Sequence, residues 1–443
     1  MKTVFITSFH ALISRNILQA SVLDRILESG ARVVLLVAPA KVDFIKQSFP
    51  DPRISVEGVQ VSKKPFEDVL QMFSFALVGI ENHIVRGWKT DGQYVKYYTT
   101  VGLYALCHHN KMLQSAFRAL CRSYLKTNTF AQLFETYKPD LVFTTDSFNR
   151  EDARLLVEAE RTGIKTVAMF RSWDNATTKG VFLAKPQRII VTNEVLREEL
   201  AELHHIDPAL VTVSGVPHYD QISRPPTVTR DVFFSEMGLD PNKKTILYAP
   251  GGKILYKHDA EILRLFKRLI DEKHFAFPVQ FIVRFPPGDT LDTSPVAGDS
   301  NFIIDDPGTN VTGRKKESEM SRTDQSHLHN SIVFCDIMLT LASTMIIDGT
   351  VYNKPTVVFG YDPEPNLPDP IAKFVEYVHL KKLLGSGLIT VSKSDDEFVR
   401  DINEYLKNPA LNQDKRDEVV RRYVRALDGQ SGNLVAQTVL ESL

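Results

Sequence analysis

Three short stretches group residues suited to holding a phosphate. In "LASTMIID", an apolar strand stops at Ala342, Ser343 and Thr344, and the apolar helix that follows carries an acid at Asp348. Small residues at a strand end let the amides of the next helix's first turn approach an anion, and the helix dipole favours negative charge there. Ser343 and Thr344 add hydroxyl donors. Asp348 is spaced to accept hydrogen bonds from a ribose diol, as an acid does in dinucleotide folds. The plain alternative is an N-cap at Ser343 and a solvated carboxylate at Asp348. "YAPGGK" ends a second strand with Gly251 and Gly252, which permit close backbone approach, and with the cation Lys253. An ordinary strand-to-helix turn would read the same way. "IVRFPPGD" ends a third strand with Arg284, either a bidentate phosphate ligand or a surface arginine. Three anion-friendly strand ends in one half of the chain weigh more than any one alone.

The other half offers groups for proton transfer. Asp146 ends "LVFTTD", while Asp174 and His10 stand on two other loops expected at the same edge. Any of the three could act as a general base towards a bound hydroxyl. A strand-end Asp is also a common helix cap. Arg15, Asn16, Arg171 and Lys179 are candidates to bind an anionic acceptor or complete a diphosphate site; surface ion pairing is their ordinary reading. No Asp-X-Asp ends a strand, and the Asp pairs at 305–306 and 395–396 fall in polar runs, so no metal and no cofactor are expected.

Such residues need a scaffold. The strands expected are at 3–7, 32–38, 139–146, 165–170 and 188–193, with "ISVEGVQ" between the second and third of these. A second series is expected at 244–250, 279–287, 336–341 and 355–360. They are continuous Val, Leu and Ile runs alternating with helical patterns at 17–28, 152–162, 194–204 and 260–273, the signature of parallel sheets covered by helices. The fold class is therefore α/β, with two Rossmann-like doubly wound domains expected to face a cleft. The proline-containing "QISRPPTVTR" reads as a linker between them. We place the first domain at 1–222 with a helical insertion at 64–130, the second at 232–412, and helices at 413–443 packing back across both. A polar run at 306–330 reads as a functional loop.

Overall composition sets limits. The 443 residues suffice for two or three cores, and 43% hydrophobic with 24% charged residues is ordinary for a globular chain. Fifty-three Lys and Arg balance 54 Asp and Glu, so no global basic field exists to attract nucleic acid. Three cysteines without zinc spacing point to a reducing compartment. The N-terminus shows no long apolar core of a signal peptide. A cytoplasmic protein is expected, with peripheral attachment at the inner face of a membrane left open. The insertion mixes aromatics with Lys and Arg, which suits a membrane interface, although a helical cap with a solvated cationic face explains it more simply.

"YAPGGK", "VRFPPGD", "DQSHLHNSIVFCDIMLTLASTMIIDGTVYNKPTVVFGYD" and "LKKLLGSGLITVSKSDDEF" together resemble the nucleotide-binding domain of GT-B-fold glycosyltransferases. The likeness is to bacterial surface-polysaccharide enzymes of the capsule, O-antigen and teichoic-acid type. "TSFHALISRNIL", "RSWDNATTKG" and "VSGVPHYD" resemble the acceptor-side motifs. The resemblance covers most of the chain apart from 64–130. It implies a nucleotide-sugar donor whose diphosphate meets Ser343 and Thr344 and whose ribose meets Asp348. Arg284 would lie near the nucleotide, with His327 and Asn330 closing over it. It also implies a glycan or lipid-linked acceptor and metal-independent transfer. "SWDN" at 172–175 departs from the His-Gly-Thr-Pro stretch usual in the phosphotransferases, which favours sugar transfer over polyol-phosphate transfer. A sugar-nucleotide epimerase of the same fold and a non-catalytic nucleotide binder are the rival readings.

Overall fold

Runs of β-branched and leucine residues such as "RVVLLV" and "VQFIVR" form strands buried on both faces, which is what parallel sheets between helix layers require. A computed structural model describes residues 1–10, 13–222, 224–252, 256–308, 321–341, 343–365, 367 and 370–443. The chain divides into two compact units, one of Met1–Gln221 with Arg422–Leu443, the other of Ile222–Arg421.

In the first unit, seven strands form one sheet: β1 (Thr3–Thr7), β2 (Arg32–Val37), β3 (Ile54–Gly58), β4 (Leu141–Thr144), β5 (Lys165–Met169), β6 (Arg188–Val191) and β7 (Val211–Val213). All are parallel, in the order β3-β2-β1-β4-β5-β6-β7. The order reverses between β1 and β4, and a doubly wound sheet opens its ligand crevice at the carboxyl end of such a switch. The second unit repeats the plan with β8 (Lys244–Ala249), β9 (Val279–Arg284), β10 (Phe302–Asp305), β11 (Ile337–Thr340), β12 (Thr356–Phe359) and β13 (Thr390–Ser392). Its order is β10-β9-β8-β11-β12-β13, again parallel, with the switch between β8 and β11.

The structure departs from the sequence reading in several places. The edge strands β7, β10 and β13 are not among the strands expected; they are three or four residues long and only partly buried, too short to show periodicity. The helix expected over 17–28 is a π-turn, Ser14–Leu18, then a separate α-helix, Ser21–Glu28, with Ala20 extended between them. The C-terminal helix Ser431–Glu441 packs on that second piece: Val435, Ala436 and Val439 share a core with Val22, Leu23 and Ile26. Gly432 lies so close that a Cβ there would sit 2.2 Å from Ser21 Oγ. The polar run expected as a loop to 330 turns helical at Arg322, because Ser321 and Asp324 form a reciprocal capping box. Residues 309–320 of that run lie outside the described residues.

The insertion contains four helices, Glu67–Val78, His83–Thr90, Tyr94–Cys107 and Lys111–Tyr124. One small core, of Phe75, Val85 and Trp88, is its own, and a second, of Leu77, Val78, Phe117 and Cys121, is completed by Val181 from the body of the unit.

Candidate functional site

At the switch point of the first unit, a cavity of about 570 Å³ lies between the carboxyl ends of β1, β4 and β5 and the insertion helices. His10 follows β1, Asp146 follows β4 and Arg171 follows β5, so strand order alone brings three residues from separate parts of the sequence together. All three line the cavity, as does Lys179. The insertion supplies apolar wall through Leu70, Phe75 and Phe117, faced by Phe182.

Arg171 organises the polar end. Its Nε donates to Asp146 Oδ2 at 3.0 Å and its Nη1 lies 3.3 Å from His10 Nδ1. A guanidinium has only donors, so His10 Nδ1 accepts and the neutral ring carries its proton on Nε2. The ring is open to solvent on the cavity side. Burial within the surrounding protein, followed by the positive charges of Arg171, Lys41 and Lys179, nevertheless pulls its pKa down to about 3. His10 is therefore a hydrogen-bond donor at neutral pH and a poor base. Lys179 makes no hydrogen bond or ion pair among the described residues.

Behind Asp146, the fully buried Asp152 accepts from Thr7 Oγ1 and from the amides of Thr145 and Asp146, fixing the loop after β4. Burial first, and the charge of Asp146 second, push the Asp152 carboxyl well above the usual range. Glu67 ties the insertion to the same region: it accepts from Arg150 Nε at 3.0 Å and pairs with Arg154.

The remaining candidates of this unit are not gathered here. Asp174 does not line the cavity; its carboxylate accepts from Thr178 Oγ1 at 3.0 Å within its own helical turn. Asn16 is buried, and neither Arg15 nor Asn16 lines the cavity, because the π-turn that carries them packs into the core.

In the second unit, β8 is flanked by β9 and β11, so the loops bearing Gly251 and Gly252, Arg284, and Ser343 and Thr344 emerge side by side. That much follows the expectation. The individual contacts change it. The amides of Gly251 and Gly252, expected to be open to a phosphate, donate to Asp259 at 3.2 and 3.0 Å. Tyr248 Oη donates to the same carboxylate at 2.8 Å. An acid of the chain thus occupies that donor set, and burial raises its pKa to about 6 against the pull of those hydrogen bonds. Lys253 lies outside the described residues.

Arg284 is 5% exposed and ion-paired to Asp305, which ends the neighbouring strand β10 in register with it. His327 Nε2 lies 3.3 Å from the same carboxylate. Burial opposes ionisation of Asp305, but the His327 hydrogen bond and the Arg284 and His327 charges outweigh it and hold the carboxyl below its ordinary range. Arg284 Nη2 has no hydrogen-bond partner among the described residues. Asp305 was assigned from sequence to a polar loop; the apolar triplet "FII" before it was the signal for the strand.

Ser343 Oγ accepts from the Met345 amide at 3.0 Å, the capping role given as its alternative. Thr344 is exposed beside it. Asp348 is 4% exposed, so it is not the solvated carboxylate of the alternative, and an open ribose acceptor would need more surface. Asn330, expected to close over the nucleotide, is engaged with the linker. Its amide bonds the Thr227 backbone and hydroxyl at 3.2 and 2.9 Å, pinning the linker to helix Arg322–Phe334.

No family model matches the chain. By sequence it is 23% identical over 264 residues to the teichoic acid poly(ribitol-phosphate) polymerase of Bacillus spizizenii, covering 57% of this chain and 37% of that protein. The chain thus spans little more than a third of that relative's length. It is 24% identical over 334 residues to the lipid-A-disaccharide synthase of Geobacter sulfurreducens, covering 71% of this chain and 78% of the other. Among solved structures, a putative UDP-N-acetylglucosamine 2-epimerase from Listeria monocytogenes superposes with a TM-score of 0.57 at 10% identity, covering 98% and 94% of the two chains. The calicheamicin glycosyltransferase CalG4 gives 0.54 at 13%, covering 100% and 98%. At these identities the structural likeness establishes the fold, two parallel-sheet Rossmann-like domains of the GT-B type. By name the sequence relatives are a polymerase of teichoic acid and a synthase of lipid-A disaccharide.

Proposed function

We propose that this GT-B-fold chain is a nucleotide-sugar-dependent glycosyltransferase that builds a cell-envelope glycan or glycolipid. The second unit would hold the donor and the first unit's cavity an acceptor hydroxyl. The observation that carries this reading is the convergence of His10, Asp146, Arg171 and Lys179 on one cavity at the switch point of the first sheet. Of the three sequence candidates for the base, Asp146 suits the role best. Of the three, it alone is a carboxylate lining the cavity, held in orientation by Arg171, whereas His10 presents a proton and Asp174 is engaged elsewhere. His10 would orient the acceptor by donating from Nε2, and Lys179 would meet any negative charge it carries. In the second unit Arg284, with Ser343 and Thr344 across the end of β8 from it, would receive the donor's diphosphate. Developing charge would then be met by Arg284 and the two hydroxyls rather than a metal ion.

Three measurements test this. Thermal-shift screening against UDP-, GDP-, CDP- and dTDP-sugars should find one class that stabilises the protein, by about 2.7 kcal/mol at a hundredfold excess over Kd. With that donor, Asp146→Asn should lower kcat by about 10²–10⁴-fold, the usual worth of a general base. Unchanged turnover in Asp146→Asn would remove the assignment. Loss of activity on chelation, restored by manganese, would remove metal independence.

A second reading has support from the sequence match to a poly(ribitol-phosphate) polymerase. Turnover of a nucleoside-diphosphate polyol, with no turnover of any nucleotide sugar, would establish that chemistry instead. Conversion of the donor to an isomer without acceptor would mark an epimerase, the activity named for several of the fold neighbours.

A further inference from the structure

Helix Tyr94–Cys107 is apolar on all sides and carries one charged residue, Lys96, yet of its fourteen residues only Thr100 is buried. A helix apolar all round normally lies in a core or against lipid. Its outer face shows Tyr94, Val95, Tyr98 and Leu106, with Val95 84% and Leu106 82% exposed. The next helix, Lys111–Tyr124, continues the surface. It turns Gln114, Phe117 and Cys121 inward and leaves Met112, Leu113 and Leu120 outside, Met112 at 83% exposure. Seven of the fifteen exposed large apolar side chains among the described residues stand on these two consecutive helices, a concentration that scattered surface residues do not show.

Charge selects the occupant. Between Asp91 and Glu135 there is no acidic residue, while five cations occur. Arg118 and Arg122 turn inward, to the Phe182 carbonyl and to Glu160. Lys111 and Lys126 stand exposed at opposite ends of the second helix, and Lys96 sits 3.9 Å over the Trp88 ring. A second copy related by a two-fold axis would set this acid-free surface against itself, bringing like charges together. An anionic lipid surface complements both the apolar face and its basic rim. At fourteen residues the first helix is about 21 Å long. Among the described residues no helix is long and apolar enough to cross a membrane, so contact would be from one side.

We propose that Tyr94–Cys107 and Lys111–Tyr124 form a docking face for anionic phospholipid bilayers. This stands independently of the transferase reading. The test is flotation of the full chain with vesicles of phosphatidylcholine alone or mixed with phosphatidylglycerol, at low and high salt. The chain should float with the mixed vesicles, weakly with the neutral ones, and less as salt rises. Val95→Asp, Leu106→Asp and Met112→Asp together should lower binding by about tenfold or more without shifting the melting temperature, since all three side chains point to solvent. Lys111→Gln and Lys126→Gln should each cost about fivefold on anionic vesicles only. No flotation with phosphatidylglycerol at low salt would overturn the proposal, as would equal flotation by the folded triple variant. A concentration-dependent dimer that the triple variant abolishes would assign the face to a second copy instead.

Discussion

Replacing Arg171 by methionine removes the cation that orients the cavity while keeping much of its aliphatic bulk. The Arg171 and Asp146 side chains are 15% and 8% exposed and meet at 3.0 Å, so this is a buried pair. Breaking a buried pair by deleting one partner costs about 3–5 kcal/mol, because the other charge stays desolvated. The cavity admits water on one side, which places Arg171→Met at the lower end, about 3 kcal/mol. Asp146→Asn leaves Arg171 a polar partner and should cost less, about 1–2 kcal/mol. With both changed no charge is stranded, and the double variant should be more stable than the sum of the singles requires, by about 2 kcal/mol. Both tryptophans, Trp88 and Trp173, lie in the first unit. Their fluorescence in urea therefore follows the unit that holds the pair, even if the two units unfold separately. High salt should leave the coupling largely intact, since a buried pair is poorly screened. A coupling below about 0.5 kcal/mol would show that Arg171 does not hold Asp146, and the assignment of Asp146 as an oriented base would fall with it.

Nitrogen chemical shifts should show His10 neutral and protonated on Nε2 throughout pH 5–8; an imidazolium at pH 6 would contradict the Arg171 contact. Because the folded pKa of about 3 lies below the unfolded 6.5, the His10 contribution to stability is complete above 6.5 and is lost as pH falls towards 3. Asp259 runs the other way: raised from 3.8 to about 6, it costs nothing below 3.8 and lowers stability as pH rises through 6. Its total cost is about 3 kcal/mol, and Asp259→Asn should abolish that slope in urea titrations of the second unit. Gly349→Ala should destabilise the second unit by about 1–3 kcal/mol. Its Cβ would lie 2.3 Å from Thr356 Oγ1 and 3.0 Å from the Met338 side chain, beneath the helix that follows Ser343, and an unchanged urea midpoint would show that the packing yields there.

Most of the scaffold could be read locally. The buried strands announce themselves as continuous apolar runs, and helix Glu194–His204 falls where its periodicity puts it. The strands that escaped notice, β7, β10 and β13, are short edge strands whose pairing energy comes from neighbouring strands. Strand ends bearing Gly251, Arg284 and Ser343 were likewise recognisable, because the residue types that tolerate or attract an anion stand next to one another in the chain.

Partners were another matter. Nothing near Gly251 and Gly252 in the periodic pattern says that Asp259, seven residues beyond the second glycine, folds back onto both amides. Asp305 meets Arg284 only because β10 lies beside β9, and Asn330 meets Thr227 across 103 residues. The cavity that joins His10, Asp146, Arg171 and Lys179 depends on β1, β4 and β5 lying side by side and on where the insertion helices pack. The sequence by itself determined which segments would be strand or helix and which loops were chemically equipped, since periodicity and residue type act over a few neighbours. Which of those groups stay available, and which are already paired, was decided by the tertiary structure, because a hydrogen bond or ion pair forms with whatever the fold brings within about 3 Å.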